Sequence, residues 1–118
     1  MIVTDIEDIS RFENKDRKAD AKFLERIFTP SELEYCFSKS FPAPHLCARF
    51  CAKEAVIKVL SYKGIKHSKL NDIEVYHGKF NEPYIRILSN DTRNLNIDIS
   101  LSHDKTKAVA IAQIRETL

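Results

Sequence analysis

One helical segment constrains the fold of this chain most, because it is apolar on almost every side. Residues 46–60 read LCARFCAKEAVIKVL. Wound at about 100° per residue, this segment directs apolar side chains around most of the helix circumference. Such a helix is stable when other elements cover it from several directions. The segment therefore predicts a long buried helix over residues 45–62, around which the rest of the chain packs.

Two charged residues interrupt this apolar helix. Glu54 and Lys58 are one turn apart and share a face that lies between Phe50 on one side and Cys51 on the other. An ionised group among apolar neighbours is costly unless a counter-ion, a metal or a ligand compensates it. This face is therefore a candidate functional site. The alternative is a simple ion pair within the helix.

The composition indicates an ordinary globular chain. The 118 residues are 43% apolar and 31% charged, which predicts a single domain over residues 1–118 with one real core. No apolar run approaches the roughly 20 residues of a membrane span, and no signal peptide precedes the first strand-like segment. We therefore expect a cytoplasmic protein.

Three cysteines invite a metal interpretation that their spacing does not favour. Cys47 and Cys51 are one helical turn apart, and with Cys36 they cannot all pair within one chain. A zinc site would need two further ligands, and His45 is poorly placed to be one. Small reduced side chains packed in the core are the favoured interpretation.

The stretch 11–26 is rich in basic residues. If it were one helix, its cations would recur every three or four residues along one face. Two interpretations stay open, a solvated helix face and a docking face for an acidic partner. A break in the helix near residues 16–20 would disrupt the stripe. The cations are Arg11, Lys15, Lys18, Lys22 and Arg26.

The first forty residues predict one strand followed by helices. Residues 2–9 alternate like a strand and place Asp5 on the same face as Val3, near the interior. Helical periodicity follows from residue 12 to residue 28. The sequence Thr29-Pro30-Ser31-Glu32 has the pattern of a capped helix start, with the helix running to about residue 38.

The second half of the chain predicts strands. Residues 41–44, with two prolines, are expected to form a linker before the long helix, and Gly64 a left-handed stop after it. The apolar period then changes to two. The predicted fold is α+β, with helices segregated from an antiparallel sheet. The predicted strands are 72–77, 84–88, 95–102 and 107–115.

Three polar features together suggest a metal–phosphate site. Asp5 lies on the first strand, Glu54 and Lys58 on the long helix, and His103 at a strand end. Two carboxylates with water and phosphate oxygens suit magnesium, while Lys58 and His103 could bind phosphate or move a proton. Each residue also has a purely structural interpretation. The chain has only 2 glycines, so side chains and helix ends would have to hold the phosphate.

The chain resembles the holo-acyl-carrier-protein synthase family, the small bacterial phosphopantetheinyl transferases. The resemblance covers nearly the whole chain in order, and the pattern RFxAKEAxxK followed by SLSH is specific. The matching segments are Thr4-Asp5-Ile6, FLERIFTPSELEYC at 23–36, ARFCAKEAVIKVL at 48–60, DIEV at 72–75, Pro83-Tyr84-Ile85 and SLSHDKTKAVAIA at 100–112.

The resemblance implies a phosphopantetheinyl transferase-like fold and a magnesium-dependent transfer in fatty acid biosynthesis. The phosphopantetheine arm of coenzyme A would pass to a serine of apo acyl carrier protein, with release of adenosine 3′,5′-bisphosphate. The family is typically a homotrimer with each site between subunits. The chain itself departs from the family at the hairpin, where a common glycine-lysine-proline reads Asn81-Glu82-Pro83.

The resemblance also implies roles for individual residues. Asp5 and Glu54 match the magnesium carboxylates, Glu54 also being the candidate base. Lys58 matches the diphosphate-binding lysine and His103 a histidine near the phosphates. Two groups match binding surfaces: Arg49 and Pro83 lie around the nucleotide, and Arg11, Lys22 and Phe23 in the region that docks the carrier protein. Two rivals stay open: a non-catalytic module that binds an acidic partner through 11–26, and another magnesium-dependent enzyme acting on a nucleotide diphosphate.

Overall fold

The computed structural model describes residues 1–66, 69–89 and 95–115. Over these residues the chain forms an α+β fold in which all paired strands are antiparallel. The helices are α1 (Ala21–Ile27), α2 (Pro30–Phe37) and α3 (Pro42–Tyr62), and the strands are β1 (Ile2–Asp8), β2 (Ile73–His77), β3 (Pro83–Ile87), β4 (Asn96–His103) and β5 (Lys107–Arg115). Short 3₁₀ turns occupy Ile9–Phe12 and Leu70–Asp72.

The strands form two sheets rather than one. β5 lies between β1 and β4 in a three-stranded sheet, and β2 and β3 form a separate hairpin. The register pairs Asp5 with Ala110 and Glu7 with Ala108, and His103 with Ala108. Glu7 and His103 therefore lie in one row across the sheet, at the end where β1 finishes.

Helix α3 is the centre of the fold, as its apolar circumference predicted. Its C-terminal half packs with both sheets, and its N-terminal half packs with α1, α2 and the first 3₁₀ turn. The predicted linker at 41–44 is wrong, because α3 already begins at Pro42. The first four N–H groups of a helix have no acceptor within it, so Pro42 and Pro44 remove no helical hydrogen bond there.

The basic stretch 11–26 is not one helix, so the stripe of cations on a single helix face is also wrong. After the 3₁₀ turn the chain takes a left-handed residue at Asn14, with φ 60°, and α1 starts only at Ala21. Asp16 accepts hydrogen bonds from the N–H groups of Lys18 and Ala19 at 3.0 and 2.8 Å. Such local side-chain bonds offer the backbone an alternative to the helix.

Other local signals act as predicted. Thr29 and Glu32 form a complete capping box at the start of α2. Gly64 follows α3 with φ +77°, a conformation that glycine adopts without steric cost. Asn81 in the β2–β3 hairpin has φ 64°, which asparagine tolerates better than most residues. Among the described residues, none of the helices is both long and apolar enough to cross a membrane.

Candidate active site

An acidic cluster lies where the end of β1 meets the middle of α3. Val3 on β1 is buried, and alternation along the strand turns Asp5 and Glu7 to the same side, where both are half-buried. Asp5 Oδ2 is buried and has no hydrogen-bond partner. Glu54 approaches from α3 and is half-buried. The structure thus brings Asp5 and Glu54 together within a single chain.

The carboxylates of this cluster influence one another. Burial raises the pKa of Glu54, and the nearby charge of Asp5 raises it further, while Arg11 and Lys58 act in the opposite direction. Partial desolvation and a like charge both disfavour the ionised form of a carboxyl group. The cluster is therefore short of positive charge, which is the electrostatic state that a cation would relieve.

Glu7 is a third member of the cluster that sequence reasoning did not identify. Burial, together with a hydrogen bond to Asp5 and the charge of that residue, raises the pKa of Glu7 to about 7, against the influence of Arg11. Arg11 NH1 lies 2.9 Å from Glu7 Oε1. The signal was present in the alternation of β1, which sets Val3, Asp5 and Glu7 on one face.

Lys58 and His103 flank the acidic cluster on two sides. Lys58 Nζ donates a hydrogen bond of 2.7 Å to the carbonyl oxygen of Thr4, which brings the ammonium group to β1 beside Asp5. His103 is exposed at the end of β4, where its Nδ1 lies 3.2 Å from the carbonyl oxygen of Asp104. Since two strand spacings separate it from Glu7, their backbones are about 10 Å apart.

Arg49 and Pro83 lie in a second region, on the side of α3 that faces the β2–β3 hairpin. Arg49 is only 3% exposed, and its NH2 group lies 3.1 Å from His77 Nδ1. Pro83 begins β3 and pairs with His77. The two residues matched to the nucleotide are thus joined through His77, which was not among the predicted site residues.

The residues matched to carrier docking form a mixed basic and aromatic surface. Lys22 is exposed and Phe23 is 38% exposed. Lys15 Nζ lies 4.9 Å from the centre of the Phe23 ring, and the Arg11 guanidinium lies 4.7 Å from that of Phe50. This surface ends at Arg11, which also pairs with Glu7, so it is continuous with the acidic cluster.

The most deeply buried charge on α3 is Lys53, which sequence reasoning passed over. Its side chain is fully buried, and Nζ donates to Glu32 Oε1 at 2.7 Å and to the Leu70 carbonyl at 3.0 Å, as well as to the Ile73 carbonyl. Glu32 in turn accepts from the Val75 N–H at 2.9 Å. This pair is fully hydrogen-bonded and joins α2, α3 and β2.

The three cysteines are free and buried. Burial raises the pKa of Cys36 to about 12 and that of Cys47 to about 11. Burial and a hydrogen bond to Asp5 raise the pKa of the Cys51 thiol further. Thiols in such surroundings stay protonated, so they behave as small core side chains.

The donor set fits a hard divalent cation. Within the described ranges, no three histidine, cysteine, aspartate or glutamate side chains form a ready-made metal cage. Magnesium does not need one, because it is commonly bound through one or two carboxylates together with waters and substrate phosphates. The unpaired Oδ2 of Asp5 beside Glu54 offers that pair of oxygen donors.

Comparison with known proteins identifies the family to which the chain belongs. The sequence model of the 4′-phosphopantetheinyl transferase superfamily matches residues 2–113. A holo-[acyl-carrier-protein] synthase from Thermodesulfovibrio yellowstonii is 42% identical, with 93% of each chain covered. The chain belongs to the holo-[acyl-carrier-protein] synthase family. The synthase from Moorella thermoacetica is 38% identical over 96% of this chain and 91% of its own.

Solved structures of other synthases have the same fold. The Helicobacter pylori synthase in complex with coenzyme A superposes with a TM-score of 0.79 at 30% identity, over 98% of this chain and 100% of the other. The Bacillus anthracis synthase in complex with coenzyme A (3′,5′-ADP) gives 0.79 at 27% identity, over 98% and 96%. The expected family and fold are confirmed.

Proposed function

We propose that this synthase transfers the phosphopantetheine arm of coenzyme A to a serine of apo acyl carrier protein and releases adenosine 3′,5′-bisphosphate. The observation that carries the proposal is the acidic pair of Asp5 and Glu54, with an unpaired buried oxygen, beside the Lys58 ammonium group. Family membership supplies the substrates, since relatives with the same fold are complexed with coenzyme A.

Asp5 and Glu54 are the residues that would hold magnesium. The ion, when bound, supplies positive charge beside the phosphate oxygens. This assignment is supported by the charge imbalance that burial and mutual repulsion create at the two carboxylates. Glu7 lies next to Asp5 and forms an ion pair with Arg11. The Arg11 guanidinium is therefore held close to the acidic pair.

The chemistry is an in-line displacement at phosphorus. The serine oxygen of the carrier forms the new P–O bond, and the bond to the bisphosphate breaks. Glu54 accepts the serine proton, either directly or through a water molecule. Lys58 stabilises the negative charge of the departing bisphosphate. The main role of His103, which is exposed at the end of β4, is to bind phosphate, and its secondary role is to transfer protons.

The carrier protein docks on the surface of Arg11, Lys22 and Phe23. Carrier proteins of this kind are acidic, so opposite charge would steer them to it. The exposed Phe23 ring provides an apolar contact beside these cations. A cavity of about 320 Å³ lies next to this surface, between Lys15 and Phe41.

We also propose that the synthase is a homotrimer with its active sites between subunits. The outer face of the three-stranded sheet carries Ile2, Ile6 and Ile111, which are 65%, 63% and 43% exposed. Thr4 pairs with Ile111 across β1 and β5, so the apolar side chains are neighbours. A contiguous apolar patch of this kind marks an interaction surface. Light scattering should give three times the 13.6 kDa chain mass; a monomer mass contradicts the trimer.

A mass measurement tests the proposed function directly. Apo acyl carrier protein is incubated with the synthase, coenzyme A and magnesium, and the intact carrier mass is recorded. The carrier should gain one phosphopantetheine group, and the gain should disappear when magnesium is chelated. Replacing coenzyme A by other nucleotide diphosphates is the specificity control.

The two rival functions are outcomes of the same experiment. Carrier binding without a mass change supports the non-catalytic module. That alternative leaves the embedded pair of Glu54 and Lys58 without a role. Turnover of another nucleotide diphosphate in place of coenzyme A supports a different magnesium-dependent enzyme.

A further inference from the structure

Three different groups hold Arg49 on the side of α3 that faces the β2–β3 hairpin. Its NH1 group donates to the His45 carbonyl oxygen at 3.3 Å, and its NH2 group lies 3.1 Å from His77 Nδ1. The Tyr35 ring covers the guanidinium face at 4.2 Å. Nε is buried and has no hydrogen-bond partner. The guanidinium is therefore fixed in orientation, yet it keeps an unused donor.

The hydrogen bond between Arg49 and His77 can have only one direction. A guanidinium has donors and no acceptor, so Nδ1 of His77 must accept the hydrogen bond and carry no proton. The tautomer with the proton on Nε2 follows from this contact. Burial and the charge of Arg49 both lower the pKa of His77, which agrees with a neutral ring. His77 also stacks on Tyr35, with ring centres 5.7 Å apart and an interplanar angle of 16°.

His77 also connects the two residues assigned to the nucleotide. It pairs with Pro83 across the β2–β3 hairpin and accepts from Arg49 on α3. Tyr35, Arg49 and His77 line a cavity of about 270 Å³ between α2, α3 and β2. A buried cation beside a cavity is suited to an anionic ligand, and a planar guanidinium must be oriented correctly to bind a phosphate through two donors.

We infer that His77 is a positioning residue for coenzyme A binding, which holds the Arg49 guanidinium in the orientation that binds a phosphate of the nucleotide. This inference rests on the proposed function. His77 acts through Arg49, while the bonds that form and break lie at the Asp5–Glu54 cluster. Removal of the acceptor on His77 therefore weakens nucleotide binding and leaves the chemical step nearly unchanged.

Two substitutions separate the hydrogen bond from the packing. His77→Asn keeps an acceptor oxygen near the place of Nδ1, and His77→Phe keeps a ring on Tyr35 but has no acceptor. A hydrogen bond to a charged group is lost in the phenylalanine variant. We expect its KM for coenzyme A to rise about 10-fold to 100-fold, with kcat at saturation within about twofold of wild type. The asparagine variant should stay within about threefold in both.

A binding measurement without catalysis provides the second readout. Calorimetry with adenosine 3′,5′-bisphosphate should show the same loss of affinity for His77→Phe and little loss for His77→Asn. A double-mutant cycle with Arg49→Lys should show strong coupling, because both changes disturb one contact. Equal KM and Kd values in the two His77 variants overturn the inference and leave His77 as a packing residue.

Two controls keep this result separate from other failures. If His77→Phe does not fold by circular dichroism, His77→Leu, which is smaller and also lacks an acceptor, takes its place. Wild-type synthase is first tested for the mass gain on the carrier. A wild type that transfers nothing contradicts the proposed function, whereas calorimetry with the bisphosphate still decides the role of His77.

Discussion

Two clusters of charged side chains touch the central helix, and they differ in how completely their polar atoms are paired. Lys53 and Glu32 are buried, and five hydrogen bonds or close contacts satisfy the pair and join α2, α3 and β2. Asp5 and Glu54 are only half-buried, and Asp5 keeps an orphaned oxygen. A satisfied buried charge holds elements together, whereas an unsatisfied one near the surface marks the place for a ligand.

Removing Lys53 should have the largest effect on stability. Lys53→Ala leaves the Glu32 carboxylate buried without its counter-ion, which costs about 3–5 kcal/mol of unfolding free energy. Urea denaturation followed by circular dichroism measures the loss. Lys66→Ala, an exposed lysine beyond α3, is the matched control and should change stability by less than about 0.5 kcal/mol. Similar losses of unfolding free energy in both variants would contradict the stabilising role assigned to the Lys53–Glu32 pair.

Replacing Glu54 should reduce activity strongly and change stability little. Glu54→Gln removes the proposed cation ligand and proton acceptor, so transfer to the carrier should fall by at least about 100-fold. The unfolding free energy should change by less than about 1 kcal/mol, because no partner is left buried without its charge. Glu34→Gln on the exposed side of α2 is the control. An active Glu54→Gln variant contradicts the assignment.

The acidic cluster should also make stability depend on pH. The folded chain raises the pKa of Glu7 from 4.5 to about 7, so it binds a proton more tightly than the unfolded chain does. Glu7 therefore destabilises the fold progressively as pH rises from about 4.5 to 7. Screening at this partly exposed site reduces the effect to about 1 kcal/mol. Urea titrations at several pH values measure it, and Glu7→Gln should flatten the dependence between those pH values.

The smallest predicted effect concerns carrier docking. Lys22→Ala removes an exposed cation, so KM for the carrier protein should rise about twofold to fivefold at low salt. The increase should shrink at high ionic strength, where such attraction is screened, and KM for coenzyme A should not change. Initial rates at two salt concentrations measure it. A salt-independent increase would argue against electrostatic docking.

The sequence patterns predicted the elements better than the partners of individual charges. The apolar circumference of α3, the box at Thr29 and the strand alternation are local signals, and the structure follows them. The pairing of Lys53 with Glu32, 21 residues away, depends on packing between elements, which periodicity does not encode. The cation stripe failed because Asp16 stabilises a turn, a competing local bond that a helical wheel ignores.

The candidate site was predicted in part for the same reason. The resemblance named Asp5 and Glu54, and the fold brings them together. Glu7 was missed although it alternates with Asp5, because a charge at a strand end is usually exposed to solvent. His77 was missed because its significance lies in its cross-strand partner and in a contact with a distant helix.

The thiol of Cys51 donates to the Asp5 carbonyl oxygen at 3.0 Å, and this contact has a consequence for how the synthase withstands oxidants. A thiol that stays protonated is a poor nucleophile toward peroxide and disulfides. The Cys51 thiol thus holds the strand that carries Asp5 by a hydrogen bond, while its sulfur stays chemically unreactive. Under oxidative stress, oxidation of Cys51 would therefore inactivate the protein only after the protein had already begun to unfold.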